Sequence, residues 1–182
     1  MDDNELWPLV VAQARQEYAA LPAGVRARIG ALAAEMAELK ERHQQLVAAA
    51  GAGAVCAACQ GACCRFGRHH FSVVDLLAFL DSGTELFEPD FASPVCPCHD
   101  GSGCLMPPAL RPFTCIIFIC EELDDRLSAE SRCELLAIEN RLRAINASFE
   151  NLLGNRFGSG LLLTGRRSAE TGRPLFAAGP LE

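Results

Sequence analysis

The sequence predicts a mainly α-helical fold in which two long antiparallel helices bracket an irregular, cysteine-rich segment. Three observations predict it. Residues 23–50 carry a stripe at alternating steps of four and three: Val25, Ile29, Leu32, Met36, Leu39, His43, Leu46 and Ala50. Residues 128–154 repeat the pattern at Leu135, Ile138, Leu142, Ile145, Phe149 and Leu152. Nine of the ten cysteines lie between them, from Cys56 to Cys120. A heptad stripe marks one buried helix face. Neither helix has an apolar back, so packing the two stripes together is the economical solution. Pairing with a second copy or a protein partner through these helices is the competing one.

Composition narrows the class. The 182 residues fit one domain: N-terminal helices over 1–50, the cysteine-rich segment over 51–127, a long helix over 128–154 and a tail over 155–182. Half of the residues are apolar, which argues against disorder, and the net charge of −7 argues against nucleic acid as a partner. No window approaches the roughly 20 apolar residues that span a bilayer. The opening Met1-Asp2-Asp3-Asn4-Glu5 is acidic and lacks the basic and apolar regions of a signal peptide. A cytoplasmic location follows as the expectation. In that reducing compartment, clustered thiols bind metal or react rather than form disulfides.

Each element has its own signal. Residues 5–20 read as a short helix, with Pro8 tolerated only in its first turn. Leu21-Pro22 breaks the pattern, and Pro22 opens the next helix. Within 23–50, Glu38 and Arg42 form an i, i+4 pair on the exposed side, and His43 reads as a packed histidine on the stripe. Gly51-Ala52-Gly53 ends this helix. Ser72 with Asp75 resembles a capping box, opening a helix of about ten residues that stops at Gly83. Residues 84–114 are rich in Pro, Gly and Asp and read as loop. So long an irregular stretch needs a reason, and metal ligation supplies one. Ile116-Ile117-Phe118-Ile119 reads as a short buried strand or a helical turn. The second long helix starts near Ser128 and stops at Gly154, with Glu139 and Arg143 paired on its exposed side. Residues 155–182 read as a loosely attached tail with a short hairpin.

The cysteines carry the chemistry. Cys56-x2-Cys59 is a strong chelate spacing for zinc or iron. It extends by x3 to the adjacent pair Cys63-Cys64, whose side chains diverge, so the two serve different sites or one simply packs. A second cluster follows at Cys96, Cys98, Cys104, Cys115 and Cys120. Nine cysteines in 65 residues are not a core composition. Cys133 stands apart and reads as a small buried apolar residue. His69, His70 and His99 are candidate substitute ligands, although His69-His70 also reads as a solvated pair before a helix. Arg65, Arg68 and Arg111 are placed to offset thiolate charge, and Arg111 also to orient its own turn.

The pattern Cys56-x2-Cys59-x3-Cys63-Cys64 resembles the signature of the YkgJ-type cysteine-cluster family, described as zinc- or iron-chelating proteins. The likeness continues through Ser72-Val73-Val74-Asp75, Cys96-Pro97, Cys104, Arg111-Pro112-Phe113-Thr114-Cys115 and Cys120. It covers about residues 56–120. The departures are Met106-Pro107 where the family commonly has Ile-Tyr, Ile116 where it commonly has Arg, and Cys98 and Cys133, which have no counterpart. The resemblance implies metal binding through Cys56, Cys59, Cys63, Cys64, Cys96, Cys104, Cys115 and Cys120. The related flagellin lysine N-methylases carry a similar cluster, but no nucleotide fingerprint is recognisable here, so that activity is not carried over.

Eight thiols would fill two four-ligand sites, of zinc or of an iron–sulfur cluster. An apolar run between Cys115 and Cys120 favours a cluster shielded from water. Two functions follow. One is a metal- or cluster-binding protein with redox or group-transfer chemistry, which expects a pocket beside Cys56–Cys64. The other is a zinc-stabilised interaction module without catalysis, which expects closed sites. A weaker third is a redox sensor reacting through Cys63, Cys64 and Cys133. The sequence alone does not decide whether the chain is an enzyme.

Overall fold

In a computed structural model, which describes residues 1–60, 62–99, 103–154 and 158–176, the chain is mainly helical. The helices are α1 (Asp3–Ala20), α2 (Ala23–Ala49), α3 (Ala52–Cys59), α4 (Val73–Ser82), α5 (Phe113–Ile117), α6 (Glu121–Asp124), α7 (Ala129–Leu153) and α8 (Leu161–Thr171). Short 3₁₀ turns occupy Cys64–His69 and Pro108–Leu110. Among the described residues there is no strand, only isolated antiparallel bridges joining Ser72 to Gly160 and His99 to Cys104. None of these helices is long and apolar enough to cross a membrane.

Helix α2 is the hub, packing on α7, on α4 and on the Pro108–Leu110 turn. Its pairing with α7 is antiparallel. Glu35 meets Arg141 at 2.5 Å, whereas Arg42, two turns further along α2, meets Glu134 at 2.6 Å, two turns back along α7. Arg42 therefore reaches across to the neighbouring helix rather than to Glu38. Glu139 and Arg143 do pair within α7, at 2.5 Å.

The buried face of α2 follows the expected stripe only in part. Val25, Ile29, Leu32 and Met36 are buried, but the next buried positions are Lys40, His43 and Val47, not Leu39 and Leu46. A straight helix turns every 3.6 residues, so a strict heptad drifts off its seam by about 20° per repeat. On α7 the same drift buries Leu153 in place of Leu152. Lys40 is fully buried and its Nζ lies 3.3 Å from Asp75 Oδ1 on α4.

Local chemistry sets the helix ends. Asp2 caps α1 in a reciprocal box with Glu5, so the helix begins earlier than expected and Pro8 falls inside it rather than in its first turn. Pro22 caps α2 instead of occupying its first helical position. Ser72 Oγ accepts from the Asp75 amide, and Asp75 Oδ2 accepts from the Ser72 amide at 2.9 Å. That is the capping box expected from the sequence. Gly83 ends α4 and Gly154 ends α7, both left-handed. Gly51 ends α2 the same way but also opens α3, so the first cysteines lie on a helix.

The irregular stretch after α4 is pinned by rings. Trp7 of α1 sits 5.6 Å from Phe87 and 6.0 Å from Phe91, and Phe79 of α4 sits 5.8 Å from Phe87. The tail differs from the loose hairpin expected. It forms α8, whose Leu161 and Leu162 are buried against the main core, and which packs along α1. The carboxylate of Glu17 then accepts from the backbone amides of Leu175 and Phe176. The remaining tail residues, 155–157 and 177–182, lie outside the described residues.

Candidate metal centre

Two apolar cores divide the thiols. The main core, built on α1, α2, α4 and α7, includes Cys96 and Cys98, with Cys64 and Cys104 packed against it. A smaller core of Val47, Ala52, Leu123, Leu127 and Leu135 has Cys120 packed against it. It forms where the end of α2, α3, α6 and the start of α7 meet.

The first group of thiols gathers at the smaller core. Cys56 and Cys59 lie three apart on α3, hence on one face, and Cys59 Sγ donates to the Cys56 carbonyl at 3.4 Å. Cys63 follows in the turn beyond α3, and Cys120 is the cap residue of α6, which packs on α3. Burial pushes the Cys56 thiol up, and the charges of Cys59, Cys63 and Cys120 add to that push. Arg111 opposes it. The same guanidinium donates to the Met106 carbonyl at 3.1 Å and to Gln44 at 3.3 Å, so it also orients its own turn.

The second group gathers at the main core: Cys64, Cys96, Cys98, Cys104 and Cys115. Burial, then the neighbouring Cys63, then Cys96 and Cys104 push the Cys64 thiol up to about 12. A hydrogen bond from Cys98 lowers Cys96 to about 6, while the same bond and burial drive Cys98 far upward. The loop is held by its backbone: the His99 amide donates to the Cys96 carbonyl at 3.0 Å and the Leu105 amide to the Cys98 carbonyl at 2.9 Å. Gly67 gives the Cys96 sulfur room, since a Cβ there would lie 3.1 Å from it. Cys115, on α5, keeps an exposed residue surface, but its sulfur end is crowded and desolvation pushes its thiol well above the usual range. His70 Nδ1 stands 3.4 Å from Cys115 Sγ, and burial holds its imidazole below its usual value.

The adjacent Cys63 and Cys64 fall at the seam between the groups, but their side chains meet in a hydrogen bond rather than diverge as expected. Each group draws on both sequence clusters. Cys98, which has no counterpart in the family pattern, is buried beside Cys96. Among the described residues, no three His, Cys, Asp or Glu side chains converge closely enough to hold a metal ion. The thiols come within reach of one another's charge without closing into a ligand shell.

Other expectations resolve differently. Cys133 is exposed on the first turns of α7, not buried. In the apolar run only Ile116 is buried; Phe118 is 58% exposed, so the run is no continuous shield. Arg68 is taken up by Asp3 at 2.8 Å and by the Phe91 carbonyl, and Arg65 stacks on Phe66, so neither serves the thiols directly. His43 is packed, as expected, at 3% exposure.

An open cleft of about 340 Å³ lies beside the second group, with His69, His70, Ser72 and Asp75 on one side and α5, α7 and Gly158–Gly160 on the other. Sequence reasoning missed it, and it missed the buried Lys40–Asp75 pair. Lys40 offered one signal, its place four residues after Met36 on the buried face. Comparison with family models, curated proteins and solved structures returned no match.

Proposed function

We propose that this chain binds a soft metal, as an iron–sulfur cluster or as zinc, through its two thiol groups. Cys56, Cys59, Cys63 and Cys120 would hold one centre, and Cys64, Cys96, Cys104 and Cys115 the other, with Cys98 and His70 beside the second. The observation that carries the reading is the interleaving of the two cysteine clusters. Residues 56–64 and 96–120 each supply thiols to both groups, which packing alone does not require. The donor set fits thiophilic ions. Crowded thiols with raised pKa values stay protonated by themselves, and a bound cation would favour their ionised form. A cluster would supply electron transfer or a Lewis-acidic iron; zinc would supply cross-linking. The resemblance to the YkgJ-type family agrees with either metal. Free thiols in this number suit a reducing, cytoplasmic setting.

The cleft beside His70 and Cys115 favours a centre with chemistry. The exposed side chains of Phe66 and Phe118, at 66% and 58%, favour the second reading, a zinc-stabilised module that meets a protein partner. Anaerobic purification followed by metal and acid-labile sulfide analysis, with a visible spectrum, separates them. Brown protein with sulfide supports the cluster. Colourless protein with stoichiometric zinc supports the module. Protein that takes up neither metal overturns both.

A further inference from the structure

Thiols of the described residues meet in two hydrogen-bonded pairs, Cys63 with Cys64 and Cys96 with Cys98. The pairs differ in what oxidation can make of them. Adjacent residues hold their Cα atoms about 3.8 Å apart, closer than the roughly 4.4–6.8 Å that a disulfide takes. Residues two apart span at most about 7 Å. Between Cys96 and Cys98 a tight turn shortens that span. Pro97 takes its first corner, and the His99 amide closes it on the Cys96 carbonyl at 3.0 Å. The backbone therefore suits a bridge at Cys96–Cys98 and opposes one at Cys63–Cys64.

Both sulfurs of the Cys96–Cys98 pair belong to buried residues, which keeps bulky oxidants away. A narrow recess of about 10 Å³ nevertheless reaches Cys98. That is about the room one water takes, and hydrogen peroxide is larger than water by one oxygen. The rings of Trp7, Phe71 and Phe91 wall the recess, with Pro89 and Leu162. Arg68 also lines it, but Asp3 and the Phe91 carbonyl hold its guanidinium. Cys98 is also the buried thiol that a four-ligand second centre leaves over.

We infer that Cys98 and Cys96 form a peroxide-sensitive switch, in which a small peroxide entering the recess converts the pair to a disulfide. The Cys98 sulfur attacks one peroxide oxygen. An S–O bond forms, the O–O bond breaks, and the departing oxygen leaves as water with the Cys98 thiol proton. The Cys96 sulfur then displaces the sulfenic oxygen, which leaves as a second water with the Cys96 proton. Each sulfur gives up one electron, and the peroxide takes both. A dithiol reductant returns the pair to thiols by exchange. The pair and the recess stand without the metal reading. One consequence does rest on it: the bridge takes Cys96 from the second centre.

The test treats the reduced full-length protein, as purified and after chelation, with hydrogen peroxide or with oxidised glutathione. Remaining thiols are alkylated and the peptides mapped by mass. Limiting peroxide should bridge Cys96 to Cys98 in the chelated protein, so that both escape alkylation. Oxidised glutathione, too large for the recess, should bridge the pair at least about tenfold more slowly and modify exposed Cys133 instead. Cys96→Ser should stop the reaction at a Cys98 sulfenic acid, captured by dimedone. Pro89→Trp, on the half-buried wall of the recess, should slow bridging by peroxide while leaving Cys133 as reactive as before. Three results would overturn the inference: a pair that stays alkylatable under peroxide, a bridge from Cys98 to Cys104 instead, or equal rates with the two oxidants. Metal-loaded protein should release metal as the bridge forms. A bridge that forms in chelated and loaded protein alike, with metal retained, keeps the switch and removes Cys96 from the ligands.

Discussion

The Lys40–Asp75 pair is the most demanding contact in the core. The two side chains are 0% and 3% exposed, and 3.3 Å separates Nζ from Oδ1. Asp75 also accepts from the Ser72 hydroxyl at 2.6 Å and the Ser72 amide at 2.9 Å. Lys40→Met keeps the volume of the side chain and removes its charge. The Asp75 carboxylate keeps its capping bonds but loses its counter-ion at a position only 3% exposed, on the wall of the cleft. Breaking one partner of a buried pair costs about 3–5 kcal/mol. For a chain of this size about 2–4 °C accompany each kcal/mol, so the melting temperature should fall by roughly 6–20 °C. Asp75→Asn should cost about as much, with roughly 1 kcal/mol more from the weakened cap. The double variant buries no charge at all. Its loss should therefore fall short of the sum of the two singles by about 2–3 kcal/mol. Thermal and urea unfolding followed by circular dichroism measure all three. A Lys40→Met variant within about 1 kcal/mol of the parent, or a strictly additive double variant, would refute the reasoning.

Other outcomes follow from the site and the core. Cys59→Ser should release metal and lower the melting temperature of the metal-loaded protein, because binding energy at such a site is folding energy; unchanged metal content would sink the assignment. Cys133→Ser, at an exposed position outside both groups, should leave metal content intact, and a loss like that of the Cys59 variant would show it to be a ligand. Leu142→Asp places a charge at a fully buried position between α7 and α2 and should destabilise by more than about 4 kcal/mol, read by urea unfolding; a smaller loss would remove Leu142 from that interface. Burial holds His43 below its ordinary 6.5, against the pull of Glu139, and burial also lowers His70. The unfolded chain therefore takes up protons first, and stability should decline as pH falls below about 6.5, a window above that of the carboxylates. His43→Leu should flatten part of that decline, and identical melting temperatures from about pH 7.5 to 5.5 would contradict it.

What could be read from the sequence was local. The Ser72–Asp75 box, the stops at Gly83 and Gly154 and the seams of α2 and α7 depend on neighbours within a few residues. The expected divergence of Cys63 from Cys64 is not among these, because their side chains meet in a hydrogen bond. What failed was tertiary. Lys40 is buried because Asp75, 35 residues later, meets it. Arg42 ignores Glu38 because α7 brings Glu134 closer. Helix α8 was hidden because much of its buried face is small: Gly165 and Ser168 carry no hydrophobic signal, yet they lie against α1. Cys133 lies just before the buried stretch of α7 and turns outward.

The seating of α8 on α1 also bears on the order of events during synthesis. Gln13 bonds to Ser168 at 2.9 Å across 155 residues, and a Cβ on Gly165 would lie 2.2 Å from Val10. The groove that receives Val10 is thus closed by a helix that leaves the ribosome about 155 residues after it. Until then the apolar side of the first helix, with Leu6, Val10 and Ala14, has only part of its cover. A nascent chain can assemble α2 on α4 and α7 beforehand, since those partners lie closer in sequence. Helix α1, made before α2, α4 and α7, is therefore locked after them. Gly165→Leu should stall this final step, leaving a chain whose middle is folded and whose first helix is open to proteolysis.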